Sequence, residues 1–337
     1  LDTSPLPALS LVLLTLFPNK GGCQNLSTLT FLITPEQDGR RLSRLLRTDC
    51  RCSARLVKQL KYLPDGILLD GARAFLDQRV SAGQRLILTL PPDPPSDIVP
   101  RAAPLDILFE DEHLLVINKP AYVPVHPGPG HHTDSLGNFV TWHYLQQGVH
   151  HTYRPVNRLD RSTSGLLCVA KTGYVQELLK LQLHTQSFIR IYTAYCHCFM
   201  PLQQNFVNAP IGREKDSILK REIRSDGAPA LTYFQVLASR ADRTLLALKL
   251  ATGRTHQIRV HMASIGHPLF GDFLYGQEEP EIIGRAALHA WHLSFLHPIT
   301  GKKLEFTAPP PADLTALFPD YTYPDPATLQ FGKDNPC

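Results

Sequence analysis

Two stretches of this chain gather residue types able to act as acid, base or nucleophile. The first spans residues 155–171 and reads PVNRLDRSTSGLLCVAK, with Asp160 set between Arg158 and Arg161. Cations beside a carboxylate favour its ionised form, and an ionised carboxylate is a nucleophile or a base. Thr163, Ser164 and Gly165 suit a tight turn ahead of the apolar run 166–170. The acid then sits at the mouth of a strand, a common place for catalytic groups. On local chemistry alone, R-L-D-R reads as a surface ion-pair cluster. The second stretch, residues 252–276, reads TGRTHQIRVHMASIGHPLFGDFLYG. Thr255 is expected to cap a helix carrying His256, Arg259 and His261. Arg254 and Arg259 then lie near a helix N-terminus, where the macrodipole disfavours cations. A residue placed against local preference is often functional. Gly266 closes the helix, and Gly271 and Gly276 bracket a turn.

Other chemistries find less support. None of the fifteen histidines has H-E-x-x-H or zinc-finger spacing, and His131/His132 and His150/His151 read as loop residues. The seven cysteines form no disulfide framework and suit a reducing cytosol. Cys50/Cys52 and Cys196/Cys198 are each separated by one residue, closer than zinc ligands usually are, so they read as ordinary thiols. On a strand, Cys196 and Cys198 would share one face. The stretch HPGPGH at 126–131 lacks the Gly-Lys-Ser/Thr ending of a P-loop and reads as a rigid turn near the cleft. Ser164 lacks the G-x-S-x-G frame of a serine hydrolase.

The elements that must position these residues follow from pattern and composition. A chain of 337 residues, 43% apolar and 19% charged, is a soluble globular protein too long for one simple core. Residues 8–17 are apolar but too short to span a bilayer and without a basic flank, so 1–33 is expected to be an unstructured leader, with an export signal as the minority reading. Within 34–90, leucines at helical spacing predict two helices, the second capped by Ser53. Their other faces are basic. Residues 39–61 hold eight Lys/Arg against Asp49, a net +7 in a chain of net +4. Such a patch suits a phosphate-backbone binder. Two basic helices ahead of a few short strands resemble the S4-type RNA-binding domain. Six prolines in residues 91–104 make a stiff extended linker and a domain boundary. Beyond it, strands are predicted over 107–109, 114–117, 166–170, 189–198, 228–236 and 245–250, and helices over 135–147, 174–183 and 255–265. Many strands with few helices predict an α+β unit over 105–320 around a mixed, mostly antiparallel sheet. Residues 321–337 are a tail, and the chain past 309 is expected to be partly mobile.

The run N-R-L-D-R-S-T-S-G-L-L, followed by G-R-T-H-Q-I-R-V-H and G-D-F-L-Y-G, closely resembles the RluA-type pseudouridine synthase family. Asn118-Lys119-Pro120, the loop 126–131, Leu288-His289-Ala290 and His297-Pro298 extend the likeness over about three-fifths of the chain. With the S4-like unit ahead of it, the arrangement is similar to bacterial enzymes that modify large-subunit ribosomal RNA. The resemblance implies a sheet with a central cleft, no cofactor, no metal, and conversion of uridine to pseudouridine. It implies Asp160 as the catalytic carboxylate, Tyr192 as the aromatic group packing on the target base or acting as base, and Arg259 as the partner of Asp160. Expected RNA contacts are Arg158, Arg161, Arg254, His256 and Gln257 near the site, and Arg41, Arg44, Arg47, Arg55 and Lys58 on the basic helices. The expected substrate is 23S-type ribosomal RNA, or else transfer RNA, handled by a cytoplasmic monomer with no membrane partner. Many relatives have His in place of Asn157 and Asp in place of Ser162, and those two positions are where the RNA target is expected to be decided. A non-catalytic RNA-binding module and an N-glycosidase are the alternatives.

Overall fold

This computed structural model describes residues 13–17, 26–94, 96–185 and 187–331. The N-terminal unit is a five-stranded antiparallel sheet, ordered β1 (Leu13–Phe17), β2 (Leu26–Leu32), β5 (Arg85–Thr89), β3 (Ile67–Leu69), β4 (Ala72–Arg73). Helices α1 (Leu42–Thr48) and α2 (Ala54–Tyr62) complete it. The leucine spacing works as predicted: Leu42, Leu45, Leu46, Leu56 and Leu60 are buried, and the Ser53 side chain accepts from Leu56 N at 3.2 Å as the N-cap. The unit begins earlier than expected. β1 and β2 fall within the stretch read as a leader, and β2 pairs with β5 through Leu29↔Leu88 and Phe31↔Leu86. The cause is a period-2 pattern, in which Leu29, Phe31 and Ile33 are buried. The rest of that stretch, residues 1–12 and 18–25, lies outside the described residues.

The larger unit is built on a ten-stranded sheet. Its strands are β6 (Asp106–Glu110), β7 (Leu114–Lys119), β8 (Arg154–Pro155), β9 (Ser164–Ala170), β10 (Ile189–His197), β11 (Gln204–Asn208), β14 (Leu231–Ser239), β15 (Arg243–Leu250), β16 (Leu288–Leu296) and β17 (Lys303–Thr307). A separate hairpin, β12 (Ile211–Arg213) with β13 (Arg221–Ile223), stands beside it. The long path runs β11-β14-β15-β10-β16-β9-β7-β6. Only the β16–β9 pairing is parallel, so the sheet is mixed and mostly antiparallel as expected. Its helices are α3 (Leu136–Gln146), α4 (Gly173–His184), α5 (Gln257–Ser264) and the short α6 (Ala312–Thr315). β16 carries no apolar signature in the sequence, because His289, His292 and Ser294 interrupt its run; all three are buried.

Two further expectations change. The stretch past 309 is packed, not loose: Leu314, Leu317 and Phe318 are buried, and Leu329 and Phe331 lie against the Trp291 cluster. Residues 332–337 of the expected tail lie outside the described residues. Cys198 does not share a strand face with Cys196, because β10 ends at His197 and Cys198 turns to φ 69 and is exposed. No helix among the described residues is long and apolar enough to cross a membrane.

Candidate active site

Asp160 lies in the loop that feeds β9, and three successive carbonyls of that loop are held. Asp160 O accepts from Thr163 N at 3.1 Å. Arg161 O accepts from Lys119 Nζ at 3.3 Å, and Ser162 O from an Arg285 guanidinium nitrogen at 3.1 Å. Lys119 is wholly buried and also donates to the carbonyls of Pro120 and Val123. Burial pushes its amine down to about 7, against the pull of Asp160 and with the push of Arg285. Arg285 is itself fixed by a two-pronged ion pair with Asp313 at 2.6 and 3.0 Å. The loop can enter β9 this tightly because residue 165 is glycine. Its φ is +109, and a Cβ there would meet Ala290 O at 2.2 Å.

The side chain of Asp160 is 25% exposed and meets Arg259 NH1 at 3.3 Å. Arg259 projects from α5 and is 3% exposed. Its other two nitrogens donate to both oxygens of Asp272, at 2.7 and 2.6 Å, and Asp272 has no exposed surface. A bidentate pair of this kind fixes the guanidinium plane, so the third nitrogen is aimed at Asp160. Burial alone would lower the Arg259 pKa, but the bonds and charges of Asp272 and Asp160 raise it above its usual value. The Tyr275 ring lies 5.1 Å from the guanidinium. His256 Nε2 is 3.8 Å from the Asp160 carboxylate, while its Nδ1 bonds the Tyr275 hydroxyl at 2.8 Å. Burial, aided by the charges of Arg259 and Arg221, lowers the His256 pKa despite Asp160, so the ring is neutral at pH 7.

Tyr192 reaches the site through sheet register. Gly165, Ala290 and Tyr192 sit side by side on β9, β16 and β10. Tyr192 is 4% exposed. Burial raises its phenol pKa, and the charge of Asp160 adds to the rise while Arg190 opposes it. Strand order therefore sets Tyr192 two strands from the start of β9, just past the Asp160 loop, while Arg259 reaches Asp160 from α5.

The other expected site residues divide. Arg158 and Arg161 are exposed on either side of Asp160, and Arg161 bonds His131 Nε2 at 2.7 Å, which ties the 126–131 turn to the site. Arg254 is exposed, with its Nε on Pro229 O at 2.9 Å. Gln257, expected at the RNA surface, is instead buried. Its amide bonds Thr252, Arg254 N, Leu231 O and Thr232, which fastens the start of α5 to β14. Thr255 is not the cap of α5. The N-cap is His256, in the left-handed conformation at φ 58, a geometry that turns the ring out of the helix toward Asp160. Asn157 is also internal. Its side chain donates to Leu166 O at 3.2 Å and accepts from Cys168 N at 2.9 Å, bracing β9, so it is not placed to choose an RNA. Ser162 acts here through its carbonyl on Arg285. On the N-terminal unit, Arg41, Arg44, Arg47, Arg55 and Lys58 are all exposed. Asp272, Tyr275, Lys119 and Arg285 were given no individual role by the sequence. The first three lie inside recognised motifs, and Arg285 had no signal. Among the described residues, no group of three or more His, Cys, Asp or Glu is placed to hold a metal ion.

Comparison with known proteins gives the family of the chain. A family model described as RNA pseudouridylate synthase matches residues 113–264. An uncharacterized RNA pseudouridine synthase of Bacillus subtilis, YjbO, is 42% identical over 79% of this chain and 94% of its own length. A protein of Zymomonas mobilis named ribosomal large subunit pseudouridine synthase D is 37% identical over 85% of this chain and 95% of its own. Among solved structures, human RNA pseudouridylate synthase domain containing 1 superposes with a TM-score of 0.51 at 26% identity, covering 61% of this chain and 83% of that one.

Proposed function

The chain belongs to the RNA pseudouridylate synthase family, isomerases that act on RNA, and on that premise we propose that Asp160 is its catalytic carboxylate and large-subunit ribosomal RNA its substrate. The observation that carries the reading is the aim of Arg259: locked on one side by Asp272, it presents its remaining nitrogen to the partly exposed Asp160. The reaction breaks the bond between ribose C1′ and uracil N1, turns the base, and joins C1′ to C5; the C5 proton is lost and N1 takes one up, so no mass changes. The target nucleotide first leaves its stack, at a cost of a few kcal/mol. Asp160 then serves as nucleophile at C1′ or as base toward the 2′ hydrogen. Both routes need a carboxylate held in one place, and the three pinned loop carbonyls supply that.

Tyr192 forms the floor beneath the flipped uracil and replaces part of its lost stacking, worth about 1–3 kcal/mol. Its raised phenol pKa argues for that packing role over general-base work at neutral pH. Arg158, Arg161 and Arg254 hold flanking phosphates, which give register and not sequence identity. The basic face of α1 and α2 acts as an S4-like landing site for the same RNA. The relative named for the large ribosomal subunit supports that substrate. The test is to incubate ribosomal RNA, taken from cells lacking the gene, with the purified protein and to map pseudouridine by carbodiimide labelling. Wild-type protein is expected to create labelled sites and Asp160→Asn none. Free uracil in the reaction would instead mark a glycosidase and overturn the reading.

A further inference from the structure

The proline-rich linker has the composition of a stiff spacer, and the structure fastens it at two points, Asp93 and residues 98–101. Asp93 accepts from both terminal nitrogens of Arg154 at 2.7 and 2.6 Å and from Thr152 N at 2.9 Å. This pair is mostly buried, 14% and 18% exposed. Further on, Asn138 Nδ2 donates to Val99 O at 2.7 Å and Asn138 O accepts from Arg101 N at 3.1 Å. Ile98 packs into the core that holds Leu136, Val140 and Tyr153. The two units also share a core directly. Leu45, Leu46, Cys50 and Cys52 of the N-terminal unit belong to one buried cluster with Tyr174, Val175 and Leu178 of α4. Across that seam the Tyr174 hydroxyl donates to Cys50 O at 2.8 Å, out of contact with solvent.

We infer that the strap and this shared core hold the basic face of α1 and α2 at one fixed distance and angle from Asp160, so that the protein chooses its uridine as a ruler does. The inference rests on the functional reading above and adds to it the means of substrate selection. A rigid link between two weak contacts turns the second contact into an intramolecular event, but only for RNA whose geometry matches both. Large folded RNA offers that match at few uridines. A short hairpin that reaches the cleft alone gains nothing from the ruler. Asp93, Arg154 and Tyr174 are therefore positioning residues that touch no substrate.

Two measurements on the full chain test this. The first is amide hydrogen exchange of the free protein. The amides of Thr152 and Arg101 are expected to exchange as slowly as those of α3, and Asp93→Ala to release both. Linker amides that exchange at unstructured rates in the wild type would overturn the inference, whatever the activity. The second compares two RNAs, ribosomal RNA from cells lacking the gene and a short synthetic hairpin around one mapped uridine. Asp93→Ala and Tyr174→Phe are each expected to raise KM on the long RNA by about tenfold or more. Both should leave kcat on the long RNA and both constants on the hairpin as in the wild type. Unchanged KM on the long RNA for both variants, with the linker released, would overturn the ruler while leaving the enzyme reading intact. A wild-type protein that modifies neither RNA would sink the enzyme reading and leave the exchange result standing.

Discussion

The Asp160 site and the basic face of α1 and α2 are both rich in cations, but the two regions hold them in opposite ways. The cations that hold Asp160 and its loop are internal: Lys119, Arg259 and Arg285 are 0–3% exposed, and each is bonded to carbonyls, carboxylates or both, while Arg158 and Arg161 beside it face solvent. On α1 and α2 the cations Arg41, Arg44, Arg55 and Lys58 stand in solvent. Buried, paired charges cannot move or be screened, so they fix geometry. Exposed charges are mobile and screened, so they supply attraction that fades with salt. The difference teaches that one residue type divides its work by burial. On the proposed reading, the inner cations hold the reacting carboxylate and the outer ones grip RNA.

The sharpest way to break this contrast is Arg259→Ala. It removes the partner of Asp160 and strands Asp272 in the interior. We expect kcat to fall by about 10²–10³ and stability by about 3–5 kcal/mol, the usual cost of an uncompensated buried charge. Denaturant midpoints and single-turnover rates measure both. A variant that keeps its stability would mean the pair is not buried in solution. Next comes Lys119→Met, which frees the Arg161 carbonyl. A displacement of about 1 Å at a reacting group costs on the order of 10² in rate. Here kcat should drop by about that factor with RNA affinity unchanged. A loss confined to affinity would place Lys119 with the gripping cations.

Low pH should separate the regions in another way. All fifteen histidines follow residue 112, so the N-terminal unit before it has none. Burial lowers His113 and His289 to about 4. Because the folded pKa lies below the unfolded one, the unfolded chain takes up protons first. The stability these residues share in is present above pH 6.5 and lost as pH falls toward 4, by about 3 kcal/mol each. Urea midpoints at pH 7, 5.5 and 4.5 should fall accordingly, and His289→Gln should flatten the fall. A midpoint constant down to pH 4.5 would contradict the burial. The smallest effect is expected from Arg44, Arg47 and Lys58 replaced together by Gln. The fold should lose only the Arg47 bond to Cys52 O at 2.7 Å, and the slope of log affinity against log salt should shrink by about 0.7–0.9 per lost phosphate contact. An unchanged slope would show that this face does not meet RNA.

Much of this was legible in the sequence where pattern and chemistry agree. The leucines of α1 and α2, the Ser53 cap, and the strands around β7, β9 and β10 follow from periodicity and turn residues. Asp160 by itself was only an arginine-flanked acid, and the motif resemblance picked it out along with Tyr192 and Arg259. The misses share a cause. Gln257 is expected to touch RNA and Asn157 to bear on which RNA is chosen, but their amides are spent on strand and loop backbone. Asp272 lies thirteen residues past its partner, and Arg285 works through the Ser162 carbonyl of a loop more than a hundred residues away. Side chains that bond backbone leave no spacing rule to read. The prolines of the linker were legible, but the bonds of Asp93 and Asn138 that fasten it were not.

The division of labour can be tested by one experiment: single-turnover pseudouridine formation across a range of RNA concentrations for wild type, Asp160→Asn and the Arg44/Arg47/Lys58 variant. The account predicts that Asp160→Asn binds RNA as the wild type does yet forms no pseudouridine at saturation. It predicts that the triple variant needs more RNA but reaches the wild-type rate. Pseudouridine formed by Asp160→Asn at the wild-type rate would contradict it.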